Sequence, residues 1–157
     1  MKTGGGLIHA HSNPSPMTEI TTLSAQANTD ISHAADVIRR VYKQVFGNKH
    51  LMELDVNESL EALFMNGDLN VQGLVTALAQ SDTYKRLFLE PNSPYRFVEL
   101  NFKHLLGRPP HDQAELMEHV RLFSEEGYDA EITSYTYSEE YLAAFGLDQV
   151  PYNRAMA

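Results

Sequence analysis

The side chains best spaced for chemistry are His111, Glu115 and His119, which recur at every fourth position between Pro110 and Gly127. Residues four apart line one face of a helix, and histidine and glutamate at that spacing can present metal ligands. The sequence offers no evident fourth ligand, and Pro110 puts His111 in the first, fraying turn. A solvated helix face is therefore the preferred reading, and no metal site is expected. His9 and His11 sit in a stretch without helical patterning and are weaker candidates still. His104 falls inside an apolar run, where packing or hydrogen bonding suits it better than proton transfer. The chain contains no cysteine, which excludes a disulfide frame, a thiolate metal site and any group attached covalently through a cysteine sulfur. No glycine-rich phosphate loop follows a strand, and no serine, histidine and acid stand in a nucleophile context. No catalytic residue is expected, so the chain is read as a binding protein rather than an enzyme.

The elements that must position these residues are helical almost throughout. A helix is predicted from about Ile31 to Phe46, capped by Asp30 and stopped by Gly47, and a short turn near Leu51 and Met52 follows. Asn57 caps a helix with Leu60, Leu63 and Phe64 on its apolar face; Asn70 caps another with Leu74, Val75 and Leu78; Ser81 opens a third with Tyr84, Leu87 and Phe88. Ser93 and Pro94 then start a run through Phe97, Leu100 and Leu105 to Gly107, where a left-handed glycine can end it. Asp112 begins a helix with Leu116, Val120 and Phe123; a shorter one holds Ile132 and Tyr135; and Ser138 caps the last, with Tyr141, Leu142 and Phe145. The fold class is all-α: a compact bundle of about eight short to medium helices.

Residues 1–30 differ in composition. Thr, Ser, Gly, Asn and Pro dominate, with the turn-rich Asn13-Pro14-Ser15-Pro16, so a flexible N-terminal arm is expected ahead of a domain over 31–154. No run is long enough to span a bilayer, and the first residues read as neither a secretory signal nor a transit peptide.

Two partial repeats stand out. Tyr42-Lys43-Gln44-Val45-Phe46-Gly47 aligns with Phe102-Lys103-His104-Leu105-Leu106-Gly107 at an offset of 60, and Ser81, Tyr84 and Phe88 align with Ser138, Tyr141 and Phe145 at an offset of 57. Either the halves share a plan, or aromatic-plus-glycine helix ends have simply recurred.

Charge is unevenly spread over the chain, whose net charge is −9. Residues 31–108 carry nine basic and nine acidic side chains, whereas 109–157 carry two basic and ten acidic. The balanced half, with Arg39, Arg40, Lys43, Lys85, Arg86, Arg96, Lys103 and Arg108, can face an acidic partner, while no dense basic stripe argues for nucleic acid.

Five ordered blocks carry a family stamp: Val37-Ile38-Arg39-Arg40-Val41-Tyr42-Lys43-Gln44-Val45-Phe46-Gly47-Asn48, Asn66-Gly67-Asp68-Leu69-Asn70-Val71, Ala79 to Tyr84, Ser93 to Arg108, and Glu125 to Ile132. With a closing segment from Tyr135 through Tyr152, they resemble the conserved domain of phycobilisome rod and core linker polypeptides. The resemblance implies a non-enzymatic linker that binds in the central cavity of phycobiliprotein trimers or hexamers, directs phycobilisome assembly and tunes bilin spectra. It implies as partners the phycobiliprotein α and β subunits of phycocyanin, allophycocyanin or phycoerythrin rings, with other linkers, on the cytoplasmic or stromal face of the thylakoid membrane. Bilins would belong to the partner rings, since this chain lacks the cysteine that carries them. Arg39, Arg40, Lys43, Arg96 and Arg108 are the expected cationic contacts, and Tyr95, Tyr128, Tyr135 and Tyr137 the expected aromatic ones. The alternative is a helical adhesion or anchoring module, or an adaptor that has lost ring binding.

Overall fold

Side-chain caps set the helix starts in the structure, a computed structural model that describes residues 32–47, 49, 51 and 55–154. The expected arm over 1–30, the Asp30 cap and Met52 lie outside the described residues. Helix α1 covers 32–46 and ends at Gly47, whose φ is +63°. Helix α2 (Glu58–Met65) is capped by Asn57, and α3 (Val71–Ala79) by Asn70, whose Oδ1 accepts from the Gly73 N–H at 2.7 Å. Ser81 caps α4, which runs as Asp82–Tyr84 and continues as a π-helical turn over Lys85–Leu89. Ser93 caps α5, with Pro94 at its first position, over Pro94–Asn101 and then a second π-helical turn at Phe102–Leu106. Asp112 caps α6 (Gln113–Glu126), Gly127 precedes α7 (Tyr128–Thr136), and Ser138 caps α8 (Glu139–Ala144). Each such cap satisfies an amide that the first turn leaves unpaired, at about 1 kcal/mol apiece.

No strand occurs among the described residues, and those from Ala34 onward form one unit. Helix α5 is its axis. Phe97, Val98, Leu100, Asn101, Phe102, His104, Leu105 and Leu106 are all buried, while Lys103 is exposed. Around it, α6, α7 and α8 pack on one side, and the α1 residues Val41, Val45 and Phe46 join Tyr84 and Phe88 of α4 in the same core. Burying a large ring of this kind contributes about 1.5–3 kcal/mol, so the aromatic cluster supplies much of the driving force.

Two features depart from the sequence expectation. The π-helical turns insert one residue per turn: the Glu90 N–H bonds the Lys85 carbonyl at 3.0 Å, and the Gly107 N–H bonds that of Phe102. The extra residue rotates the following side chains and lets α5 bury nearly its whole circumference. Second, α2 buries none of its residues, and Leu63 is 41% exposed: this short helix packs along α3 and meets α1 through Tyr42, whose hydroxyl donates to Glu61 and accepts the Asn57 N–H.

The aligned segments share local structure. Ser81 and Ser138 each cap the amide three residues on, and Tyr84 and Tyr141 each turn a fully buried ring onto Phe88 or Phe145. The carbonyls of Ala79 and Thr136, 57 residues apart, are held reciprocally: the Tyr128 hydroxyl donates to the first and Gln72 Nε2 to the second at 2.8 Å. Gln44 and His104, aligned at an offset of 60, also meet, since Gln44 Nε2 donates to the His104 carbonyl at 3.0 Å.

Candidate partner-binding site

The end of α5 presents both a buried polar chain and an open groove. Inside, Glu131 is a fully buried carboxylate on α7, and it accepts from the Tyr135 hydroxyl and from Asn101 Nδ2 at 3.5 Å, with His119 Nδ1 3.2 Å away. The Tyr84 hydroxyl donates to Asn101 Oδ1 at 2.9 Å and lies 3.1 Å from His104 Nδ1. Reading donors to acceptors along this chain, the one Tyr84 proton is spent on Asn101, so His104 Nδ1 must carry the hydrogen that Tyr84 accepts. His104 Nε2 is then left as an acceptor, and among the described residues it has no hydrogen-bond partner. Burial is the main reason the His104 pKa is pushed down to about 4, with Lys103 and Arg96 adding repulsion. The ring is therefore neutral at pH 7. Such a satisfied interior network fixes one arrangement of α4, α5, α6 and α7.

Outside, a groove of about 760 Å³ opens between the last turns of α1 and α5 and the segment 149–153. Its floor is apolar, from Phe46, Phe88, Leu100 and Val150, and His104 lies at its base. Arg40, Lys43, Lys49 and Lys103 stand at its rim, and among the described residues its walls carry no carboxylate. The far wall is strapped down tightly. The Arg154 N–H donates to the Gly107 carbonyl at 2.8 Å, and Arg154 Nε to that of Leu106 at 2.8 Å. Gly107 has φ +72°, and a Cβ there would fall 1.9 Å from the Tyr152 carbonyl oxygen, so only glycine admits this close approach.

Of the residues singled out in the sequence, the structure brings Arg40 and Lys43 together in the groove. Arg39 is exposed beside it on α1, where Arg39 and Arg40 both pair with Asp36. Tyr95 and Arg96 lie exposed on the first turn of α5, with Arg96 3.2 Å from Glu99. Tyr137, 57% exposed, stands apart at the end of α7. Three expected contacts are corrected. Tyr135 is completely buried with its hydroxyl on Glu131, so it has no surface to offer. Tyr128 is mostly enclosed, stacked on Phe97 and bonded to the Ala79 carbonyl. Arg108 is an internal clamp with its side chain only 11% exposed: it grips Glu140 at 2.6 and 2.7 Å and Glu115 at 2.8 and 3.0 Å, and Arg154 also pairs with Glu140. The clamp holds the Glu140 pKa down to about 2 and lowers that of Glu115.

The same clamp engages the histidine-and-glutamate face that leads into α6. Glu115 is committed to Arg108 and accepts the His111 N–H at 2.8 Å, while His119 turns inward to Glu131. Among the described residues no cluster of three or more histidines and acids could hold a metal ion.

Sequence reasoning missed Lys49, Lys103 and His104 as parts of one site. The signal was present in the repeat, since the offset of 60 pairs Lys43 with Lys103 and Gln44 with His104, and the structure brings these positions together around the groove.

A model of the phycobilisome linker polypeptide matches residues 29–154. The chain belongs to that family. It is 45% identical over 138 residues to a 27.9 kDa phycoerythrin-associated rod linker of Microchaete diplosiphon, covering 88% of this chain and 55% of the relative. It is 47% identical over 130 residues to a 32.3 kDa phycocyanin-associated rod linker of Picosynechococcus, covering 83% and 45%. It is also 49% identical over 118 residues to a 34.5 kDa phycoerythrocyanin-associated rod linker of Mastigocladus laminosus, covering 75% and 42%. The chain thus spans about half the length of the relatives it matches. No helix among the described residues is long and apolar enough to cross a membrane.

Proposed function

We propose that residues 31–154 are a non-enzymatic linker domain that seats in the central cavity of a phycobiliprotein trimer or hexamer, directs ring stacking and adjusts the spectra of nearby bilins. The observation that carries this reading is the match to rod linkers over nearly the whole helical body, including the groove-forming ends of α1 and α5. The arrangement of charge supports it. Arg39, Arg40, Lys43 and Arg96 are exposed on α1 and α5, whereas the acidic excess lies on α6 to α8. A surface with exposed cations on one group of helices and its acidic excess on another is steered toward an acidic partner in a fixed orientation. Tyr95 and Tyr137 are exposed rings that can stack on or constrain a neighbouring bilin. The bilins belong to the ring subunits, because this chain has no cysteine to attach one. The protein would act as a peripheral component of the phycobilisome at the cytoplasmic or stromal face of the thylakoid. Sedimentation of the chain with purified phycocyanin hexamers tests the reading. Co-sedimentation with a red-shifted absorption band is expected, and failure to sediment with phycocyanin or phycoerythrin rings would overturn it.

A further inference from the structure

The linker reading leaves open which part of the domain grips the ring and what it grips. Three features converge on the groove at the ends of α1 and α5. Arg40, Lys43, Lys49 and Lys103 surround it without a carboxylate among its described walls, and Lys43, Lys49 and Lys103 have no ion-pair partner among the described residues. Its floor is apolar, so an occupant gains by burying a hydrophobic side chain beneath the charged rim. At its base His104, only 4% exposed, leaves Nε2 without a hydrogen-bond partner among the described residues. That nitrogen is not one of the fully enclosed polar atoms, so a group seated in the groove can reach it and bring it an N–H or O–H.

We infer that this groove receives an acidic, apolar-tipped segment of the biliprotein ring, with Lys43 and Lys103 anchoring its carboxylates and His104 Nε2 accepting a hydrogen bond from it. The inference rests on the linker reading and assigns it a contact point. A second copy of this chain fits less well. Of the ten acidic residues after position 108, Glu115 and Glu140 are locked on Arg108, Glu131 is buried, and Asp112 caps α6. Of the rest, Glu118, Glu139 and Asp148 are dispersed, and Glu125, Glu126 and Asp129 gather at the α6–α7 turn, where the neighbouring rings of Phe123 and Tyr128 are turned inward onto Phe97 and leave no apolar tip beside them.

The test compares two single variants of the full chain with equal changes in net charge. Lys103→Glu reverses an exposed groove anchor, and Arg121→Glu reverses an exposed cation on α6, outside the groove. Affinity for phycocyanin hexamers is measured in low salt, with circular dichroism confirming that both variants fold. The groove variant is expected to bind about tenfold or more weakly, and the other within about threefold of the original chain. Equal weakening of both, or of neither, overturns the groove assignment while leaving the linker reading intact. An original chain that binds no biliprotein ring overturns both. Loss of self-association in the groove variant, with ring binding unchanged, would give the groove to a second copy instead.

Discussion

Tyr84 and Tyr141 occupy matching places, three residues after a capping serine and packed on a phenylalanine four residues further on, yet their hydroxyls meet different fates. Tyr84 bonds Asn101 and His104, which leads on to Glu131 and His119. Tyr141 buries its hydroxyl with no partner among the described residues. The half containing α4 is fastened from inside by hydrogen bonds. The half containing α8 is fastened from outside, by Arg108 and Arg154 on Glu140 and by the 150–154 segment closing over Gly107. One local plan has thus been secured by two different physical means, and the means predict different sensitivities.

The external fastening should be the more brittle. Gly107→Ala forces a side chain into positive φ and against the Tyr152 backbone, and urea denaturation should show a loss of about 3–5 kcal/mol. A loss below 1 kcal/mol would mean that the strap contributes little to the second half.

Acid should then separate the two fastenings. The His104 pKa is about 4 in the fold and near 6.5 in an open chain, so the unfolded state binds the extra proton between those values. Stability conferred by a neutral His104 is complete above pH 6.5 and falls as pH drops toward 4, by about 3 kcal/mol. Glu140, held near 2, instead contributes stability that is complete above its ordinary value and lost only as pH falls toward 2. Unfolding measured against pH should therefore lose the inner fastening first, and His104→Asn should flatten the slope between pH 6.5 and 4. An unchanged slope in that variant would remove His104 from the account.

Removing single hydroxyls gives the smallest and sharpest contrast. Tyr84→Phe strands Asn101 and His104 and should cost about 2–3 kcal/mol in thermal unfolding. Tyr141→Phe deletes a hydroxyl that already lacks a partner and should change stability by about 0–1 kcal/mol, in the stabilising direction. Equal costs at the two sites would erase the distinction between the halves.

Much of this was legible in the sequence because caps and terminal glycines act locally. Asn57, Asn70, Ser81, Ser93, Asp112 and Ser138 each mark a helix start that the structure contains. The π-helical turns were not legible, because one added residue leaves no mark in composition and slightly shifts the apolar period. Burial was the other limit. Tyr135 and Arg108 look like surface groups from their types and positions, but their partners, Glu131, Glu115 and Glu140, are chosen by how helices pack. The groove needed the same information, since Lys43 and Lys103 meet only when α1 and α5 end side by side.

Native mass spectrometry of the full chain mixed with phycocyanin hexamers bears most directly on the central claim. A domain seated in the ring's central cavity should appear as one chain per ring, bound in low salt and released as salt rises. Free chain beside empty rings, or several chains per ring, would contradict it.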